Sequence, residues 1–247
     1  MWTREGLLAL DPVVFAVKQL GFTPDSWQAK VLRSGVKRGI LNCARQSGKS
    51  TVMAVMAVHR ALYQAKSLIL VVSPVSRQSG EFMENVHDFT GRMDIEKRWD
   101  GHNEISQLYS NGSRIVGLPA VDDNIRGFAS VSLAFIDEAA RVPDALLATL
   151  LPMLMVSKGD LWLMSTPVAR RGLFWDSWNK PEYWTRFTAM GTECPRFSPE
   201  FLEQCRVLMG ERKYRREFLC EFGDDDDAVF SGDVLERAVD QDEEGLR

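Results

Sequence analysis

Apolar residues gather in four short, nearly continuous runs along this chain, and each run has the length of a strand rather than of a helix. Runs without polar alternation are typical of strands that are buried on both faces of a sheet. They read GILNCA at 39–44, SLILVVSP at 67–74, VSLAFIDEAA at 131–140 and DLWLMSTP at 160–167. We therefore expect four central strands.

The stretches between these runs repeat apolar residues every three to four positions, which predicts amphipathic helices. One such stretch, at 25–35, precedes the first run, and the others lie between runs at 49–65, 76–93 and 144–156. Asn111-Gly112, between two apolar segments at 104–119, is the strongest hairpin signal in the chain. Strands that alternate with helices indicate an α/β fold, in which helices cover both faces of a mainly parallel sheet.

The pattern changes after Pro167, where the chain becomes aromatic and rich in turns before two further helical stretches at 198–210 and 211–222. We predict a core over 1–167, a smaller C-terminal lid subdomain over 168–223 and an acidic linker or tail over 224–247. The tail carries ten acidic and two basic side chains, so the rest of the chain is mildly basic. A basic body permits contact with nucleic acid but does not require it.

Composition excludes several classes of protein. The longest apolar stretch, Ala145–Val156, has 12 residues and contains a proline, which is too short to cross a bilayer. The four cysteines form no C-x-x-C pair, so neither a disulfide framework nor a zinc site is expected. We expect a protein without a membrane segment, in a reducing cytoplasm.

The segment ARQSGKST at 44–51 resembles a phosphate-binding loop, with Cys43 where the usual pattern begins with glycine. Gly48 lets the backbone approach a phosphate, Lys49 supplies a cation, and Ser50 offers a hydroxyl to Mg²⁺. The alternative is a chance Gly-Lys-Ser tripeptide that opens an ordinary helix. The strand before it and the helix after it favour a nucleotide site.

Two adjacent carboxylates lie within the third run, at the point where its apolar part ends. Asp137 ends that strand, where it can hold Mg²⁺ directly or through water, and Glu138 can take a proton from an attacking water. In isolation the pair is equally consistent with a solvated turn. Together with the upstream loop it favours a nucleotide hydrolase over a passive binder.

Three further candidates carry weaker signals. Gln28 can read an adenine through its amide, or it is a polar neighbour of a core tryptophan. Arg126, in a polar loop twelve residues before Glu138, is either a surface charge or an arginine that meets a γ-phosphate. Ser165 and Thr166 can sense that phosphate through their hydroxyls, or they simply end a strand.

Taken in order, five segments of the chain resemble the large terminase subunit of tailed bacteriophages. They are DPVVFAVKQLGFTPDSWQAKVLRS, ILNCARQSGKST, IRGFASVSLAFIDEAA, LWLMSTP and YRREFLCEFGDDDDAVF. The resemblance runs from about Asp11 to Phe230 and implies a three-layer, RecA-like P-loop fold of the catalytic-glutamate class. It also accounts for the loop, since family loops often lack the first glycine and carry an arginine where Arg45 stands.

The resemblance implies a role for each candidate residue. Gln28 would contact adenine, Asp137 and Ser50 would hold Mg²⁺, and Glu138 would be the catalytic base. Arg126 would enter the site of a neighbouring subunit, and Ser165 and Thr166 would couple hydrolysis to movement. The loop residues that would bind ATP are Arg45, Gln46, Ser47, Gly48, Lys49, Ser50 and Thr51, with Arg45 also assisting catalysis.

The implied activity is Mg²⁺-dependent ATP hydrolysis that drives double-stranded DNA into a procapsid in the host cell cytoplasm. The implied partners are double-stranded DNA, further copies of the chain in a ring, the portal protein and the small terminase subunit. Family members also carry a C-terminal nuclease, which we do not expect in these 247 residues. Two alternatives stay open: a superfamily-two helicase-like DNA translocase, and a scaffold that binds nucleotide without hydrolysing it.

Overall fold

The computed structural model describes residues 3–93, 95, 105–121 and 125–223. Short 3-10 helices lie at Ala139–Arg141 and Gly191–Glu193. The other elements are α1 (Arg4–Leu10), α2 (Pro12–Gln19), α3 (Ser26–Leu32), β1 (Arg38–Cys43), α4 (Lys49–Tyr63), β2 (Leu68–Ser73), α5 (Ser76–Arg92), β3 (Ser106–Leu108), β4 (Arg114–Pro119), β5 (Leu133–Asp137), α6 (Leu146–Ser157), β6 (Asp160–Ser165), α7 (Gly172–Trp178), β7 (Thr185–Ala189), α8 (Pro199–Met209) and α9 (Glu211–Leu219).

The strands form one seven-stranded sheet in the order β3-β4-β2-β5-β6-β1-β7. All neighbours are parallel except β3 and β4. The four apolar runs form β1, β2, β5 and β6, which lie in the interior of the sheet and end at the same edge. The predicted α/β architecture is confirmed.

Alternate residues of each central strand face two separate apolar layers. Leu41 and Val71 face a cluster formed with α1 to α5, while Ile40 and Leu70 face a second cluster that includes α6 and α7. Burial on both faces explains why these strands read as continuous apolar runs. The fold therefore has three layers, helix, sheet and helix.

The predicted hairpin is present, with β3 antiparallel to β4. The turn places Gly112 at a φ of 81°, a backbone conformation that glycine adopts readily. The Asn111 side chain donates to the backbone carbonyl of Ala61 at 2.8 Å, which fixes the hairpin to α4.

Four elements were not expected from the pattern: α1, α2, α7 and β7. The first two are short helices capped by Thr3 and Asp11, whose side chains accept backbone N–H groups of the first turn. β7 lies at the sheet edge with only Phe187 and Ala189 buried, so it lacks the apolar run of a central strand.

The segment after Pro167 divides between the sheet and a small helical unit. β7 pairs with β1, whereas α8 and α9 pack on each other around Leu202, Tyr214 and Phe218. The division of the chain at residue 167 stays a prediction, and the predicted acidic tail lies outside the described residues. Within the described part of the chain, no helix is long and apolar enough to span a bilayer.

Gly39 in β1 makes room for an aromatic side chain of the neighbouring strand. A Cβ at this position would lie 2.3 Å from Cε3 of Trp162, whose ring stacks on Phe187. Gly39→Ala is therefore expected to lower the free energy of unfolding by about 1–3 kcal/mol, the usual cost of overpacking. Denaturant unfolding measures this change.

Gly80→Ala is the matched control for this prediction. Gly80 lies within α5, and an added Cβ there meets no atom within 4 Å. Because alanine favours helix over glycine, this change is expected to raise the free energy of unfolding by about 0.5–1 kcal/mol. Equal unfolding curves for the two variants would contradict the close packing at Gly39.

Candidate nucleotide-hydrolysis site

The phosphate-binding loop connects β1 to α4 at the carboxyl edge of the sheet. Gly48, at the N-cap of α4, has a φ of 92°, and a Cβ there would lie 2.9 Å from Nε2 of Gln28. Gln46 also adopts a positive φ, of 55°. Ser47 is buried, and Thr51 lies half-buried in the first turn of α4. The loop thus needs glycine at position 48 for both backbone conformation and space.

The usual motif has a glycine at the position of Cys43. In this structure Cys43 is the last residue of β1 and does not lie in the turn. It pairs with Ala189 of β7 and is fully buried. Burial raises the pKa of its thiol, and the nearby Cys220 adds to that effect. The departure from the motif is therefore compatible with an intact loop.

Lys49 contacts the two carboxylates at the end of β5, those of Asp137 and Glu138. Its Nζ lies 2.7 Å from Oε1 of Glu138 and 3.9 Å from Oδ1 of Asp137. Burial acts to lower the lysine pKa, but the two carboxylates outweigh it and the net shift is upward. Lys49 is therefore a fixed cation at the edge of the sheet.

Asp137 and Ser50 lie next to each other, and their side chains are joined by a hydrogen bond. Burial raises the pKa of Asp137, while Lys49 and a hydrogen bond with the Ser50 side chain act in the opposite direction. A carboxylate beside a hydroxyl is the oxygen-donor chemistry that Mg²⁺ prefers, with waters and phosphates completing its shell. No cluster of three or more His, Cys, Asp or Glu side chains that could hold a metal occurs among the described residues.

Glu138 is held in a left-handed backbone conformation, with a φ of 49°. Its backbone N–H donates to Oδ1 of Asp137 at 2.9 Å. Its Oε2 lies 3.5 Å from the Ser165 hydroxyl, and that hydroxyl accepts the Ala140 N–H. The Ser-Thr pair that ends β6 is thus beside the predicted base, and both Ser165 and Thr166 are buried.

Gln28 lies against the loop from the side of α3. Its Oε1 accepts the Asp25 N–H at 2.9 Å, and its Nε2 lies 3.3 Å from the Gly48 carbonyl, to which it donates. Both ends of the amide therefore contact protein groups, and recognition of adenine by Gln28 stays a prediction.

The two predicted arginines are in different surroundings. Arg45 is exposed, its guanidinium lies 3.7 Å from the carboxylate of Glu217, and its backbone N–H donates to the Glu217 carbonyl at 2.9 Å. Arg126 lies on the connection from β4 to β5, with an exposed side chain next to the buried Ile125. Arg45 thus belongs to the phosphate-binding loop itself, whereas Arg126 lies on a separate connection that starts at the carboxyl edge of the sheet.

Sequence reasoning missed contacts that reach the loop from the C-terminal segment. The Arg196 guanidinium pairs with Asp25 at 2.8 Å and donates to the Ser47 carbonyl. The amide of Asn42 donates to the Cys220 carbonyl at 2.8 Å. No local pattern could have indicated these pairs, because their members lie far apart in the sequence.

A cavity of about 400 Å³ lies at the amino-terminal ends of the strands, away from the phosphate-binding loop and beside Asp160 and Trp162. It is larger than the cavity of about 100 Å³ beside Glu138. Its charged side chains pair with each other, Arg33 with Asp11 and Arg60 with Asp160. We therefore place the site by its chemistry, at the loop and the carboxylate pair.

The sequence is also similar to that of known proteins, all of one family. The family described as "Terminase large subunit, T4likevirus-type, N-terminal" matches residues 40–237. The terminase large subunit of Thermus phage G20c is 24% identical over 259 residues, which cover 86% of this chain and 51% of that protein. The chain thus spans about half the length of the curated relatives it matches.

Solved structures show the same fold. The large terminase ATPase domain of Thermus phage P74-26 superposes with a TM-score of 0.73 at 23% identity, covering 86% of this chain and 99% of that domain. The large terminase of another thermophilic bacteriophage gives 0.70 at 14% identity, covering 80% of this chain and 53% of that one. Because the family match extends over most of the sequence, the chain belongs to the terminase large subunit family.

Proposed function

We propose that this chain is the ATPase motor domain of a viral DNA-packaging terminase. The observation that carries the proposal is the meeting of Lys49, Ser50, Asp137 and Glu138 at one edge of the sheet. A loop lysine, a hydroxyl–carboxylate pair and an adjacent glutamate are the groups that ATP hydrolysis needs. A thermophilic bacteriophage large terminase with the same fold, at a TM-score of 0.67, was solved in complex with ATP-gamma-S, which is consistent with nucleotide binding by this fold.

Each residue has a defined task in the proposed mechanism. Lys49 exchanges its contact with Glu138 for the outer phosphates of ATP, and the freed carboxylate takes a proton from the attacking water. Ser50 and Asp137 would hold Mg²⁺, which would supply positive charge to neutralise the phosphates. Arg126 of a neighbouring copy and Arg45 stabilise the charge that develops as the bond to ADP breaks.

We propose that the C-terminal segment transmits changes at the phosphate-binding loop to the movement of DNA. Glu217 on α9 contacts Arg45, and Arg196 contacts Ser47, so a change at the loop alters contacts with this segment. We propose that these contacts, with Ser165 and Thr166, pass hydrolysis on to double-stranded DNA. A ring of copies on the portal, with the small terminase subunit, in the host cell cytoplasm is the proposed setting. We also propose that this chain does not cleave DNA.

The two alternatives have less support. A scaffold that does not hydrolyse ATP would be favoured if Cys43, in place of the usual glycine, disrupted the loop, but Cys43 lies in β1, where a glycine is not needed. A helicase-like translocase remains distinguishable by experiment, since it would separate the strands of duplex DNA.

Turnover per chain is expected to rise with protein concentration, because one copy supplies Arg126 to the site of the next. Phosphate release at fixed saturating ATP and Mg²⁺, measured over a wide range of protein concentration, tests this expectation. Lys49→Met, which removes the loop cation, sets the background. Phosphate release that never exceeds this background would contradict ATP hydrolysis, and turnover independent of concentration would contradict the need for a neighbour.

A further inference from the structure

A cavity of about 100 Å³ adjoins Glu138 on the side facing α5 and α9. Each water takes about 10–15 Å³ of the volume open to a water-sized sphere, so the cavity has room for several. It is lined by Arg45, Gln78, Glu138, Arg141, Thr166 and Glu217. The proposed mechanism gives Gln78 no role.

Gln78 is the third residue of α5, just beyond the end of β2. Its Oε1 is buried, and among the described residues no group donates a hydrogen bond to it. A buried carbonyl without a donor costs about 1–3 kcal/mol, so such atoms commonly receive a hydrogen bond from water or a ligand. The Gln78 residue also lines the cavity beside the predicted base, which is large enough to hold water.

A second acceptor near the base would favour hydrolysis. A water molecule that attacks phosphorus is oriented best when both of its O–H groups donate to the protein and one lone pair faces the phosphate. Glu138 provides one acceptor. Of the other groups that line the cavity, the Glu217 carboxylate would repel the phosphate, whereas the amide carbonyl of Gln78 is a neutral acceptor.

We propose that Gln78 is a further catalytic residue, whose Oε1 accepts one O–H of the attacking water while Glu138 accepts the other. In the step, the water oxygen forms a bond to the γ-phosphorus. The bond from that phosphorus to the bridging oxygen breaks, and its electron pair leaves with ADP. The proton of the water moves to Glu138. This inference depends on the proposed ATP hydrolysis and assigns a new residue to it.

Gln78→Met tests the role, because methionine has nearly the same length but no carbonyl. It is expected to lower kcat by about 10- to 100-fold, the effect of one lost hydrogen bond to a reacting group. The affinity for ATP, measured with a fluorescent analogue, and the midpoint of thermal unfolding should not change. Gln204→Met, at an exposed position of α8, is the matched control and should behave as wild type.

Gln78→Ala is the second variant, in case methionine does not fold at this position, and the same loss of kcat is expected. A kcat within twofold of wild type in the variant that folds, or a loss matched by equally weaker ATP binding, would overturn the role of Gln78. Wild type and Glu138→Gln, measured in the same assay, test the proposed ATP hydrolysis separately from the role of Gln78. If they behave as proposed while Gln78→Met retains full activity, only the assignment of Gln78 fails.

Discussion

Glu138→Gln is expected to lower ATP turnover by about 10²- to 10⁴-fold, the contribution of a positioned general base. Glutamine has the same size and can still accept a hydrogen bond, but it cannot take up the proton of the attacking water. The carboxylate is in place for this task, between Lys49 at 2.7 Å and the Ser165 hydroxyl at 3.5 Å.

Binding of ATP is expected to survive this change. Glu138→Gln removes the carboxylate that lies closest to Lys49, so the lysine competes less with its own partner when it meets phosphate. Single-turnover phosphate release measures the chemical step, and titration with a fluorescent ATP analogue measures affinity. Glu84→Gln, at an exposed position of α5, is the matched control. Turnover within threefold of wild type would remove Glu138 from the role of base.

Arg126→Ala is the second change with a large expected effect. Arginines that enter a neighbouring nucleotide site contribute about 10³ to 10⁵ in rate, and a loss of this order is expected. Thermal unfolding should be unaffected, because the Arg126 side chain is exposed. Arg4→Ala, which removes an exposed arginine from α1, provides the control for a general loss of positive charge.

Mixing the two inactive variants tests whether the arginine acts across an interface. Where an Arg126→Ala copy has a Glu138→Gln copy as its neighbour, its site contains its own Glu138 and a neighbouring Arg126. Phosphate release in the mixture should therefore exceed that of either variant alone, with a maximum at intermediate ratios. Activity equal to the weighted mean of the separate variants at every ratio would contradict action in trans.

The sequence predicted what depends on local pattern. β1, β2, β5 and β6 were found because burial on both faces leaves almost no polar residue in them, and Lys49 and Glu138 because their motifs are contiguous. β7 was missed since an edge strand needs apolar residues on one face only. Arg196 and Gln78 were missed because each acquires its place through contacts with segments distant in the sequence.

The left-handed backbone conformation of Glu138 lowers the stability of the fold, whereas its carboxylate is proposed to serve catalysis. A bulky side chain in that conformation costs of order 1–3 kcal/mol, and glycine would remove the penalty. Natural proteins commonly retain such local strain where function depends on it. Selection of this chain for heat resistance alone would therefore favour glycine at position 138, and the gain in stability would remove the carboxylate that we propose as the catalytic base.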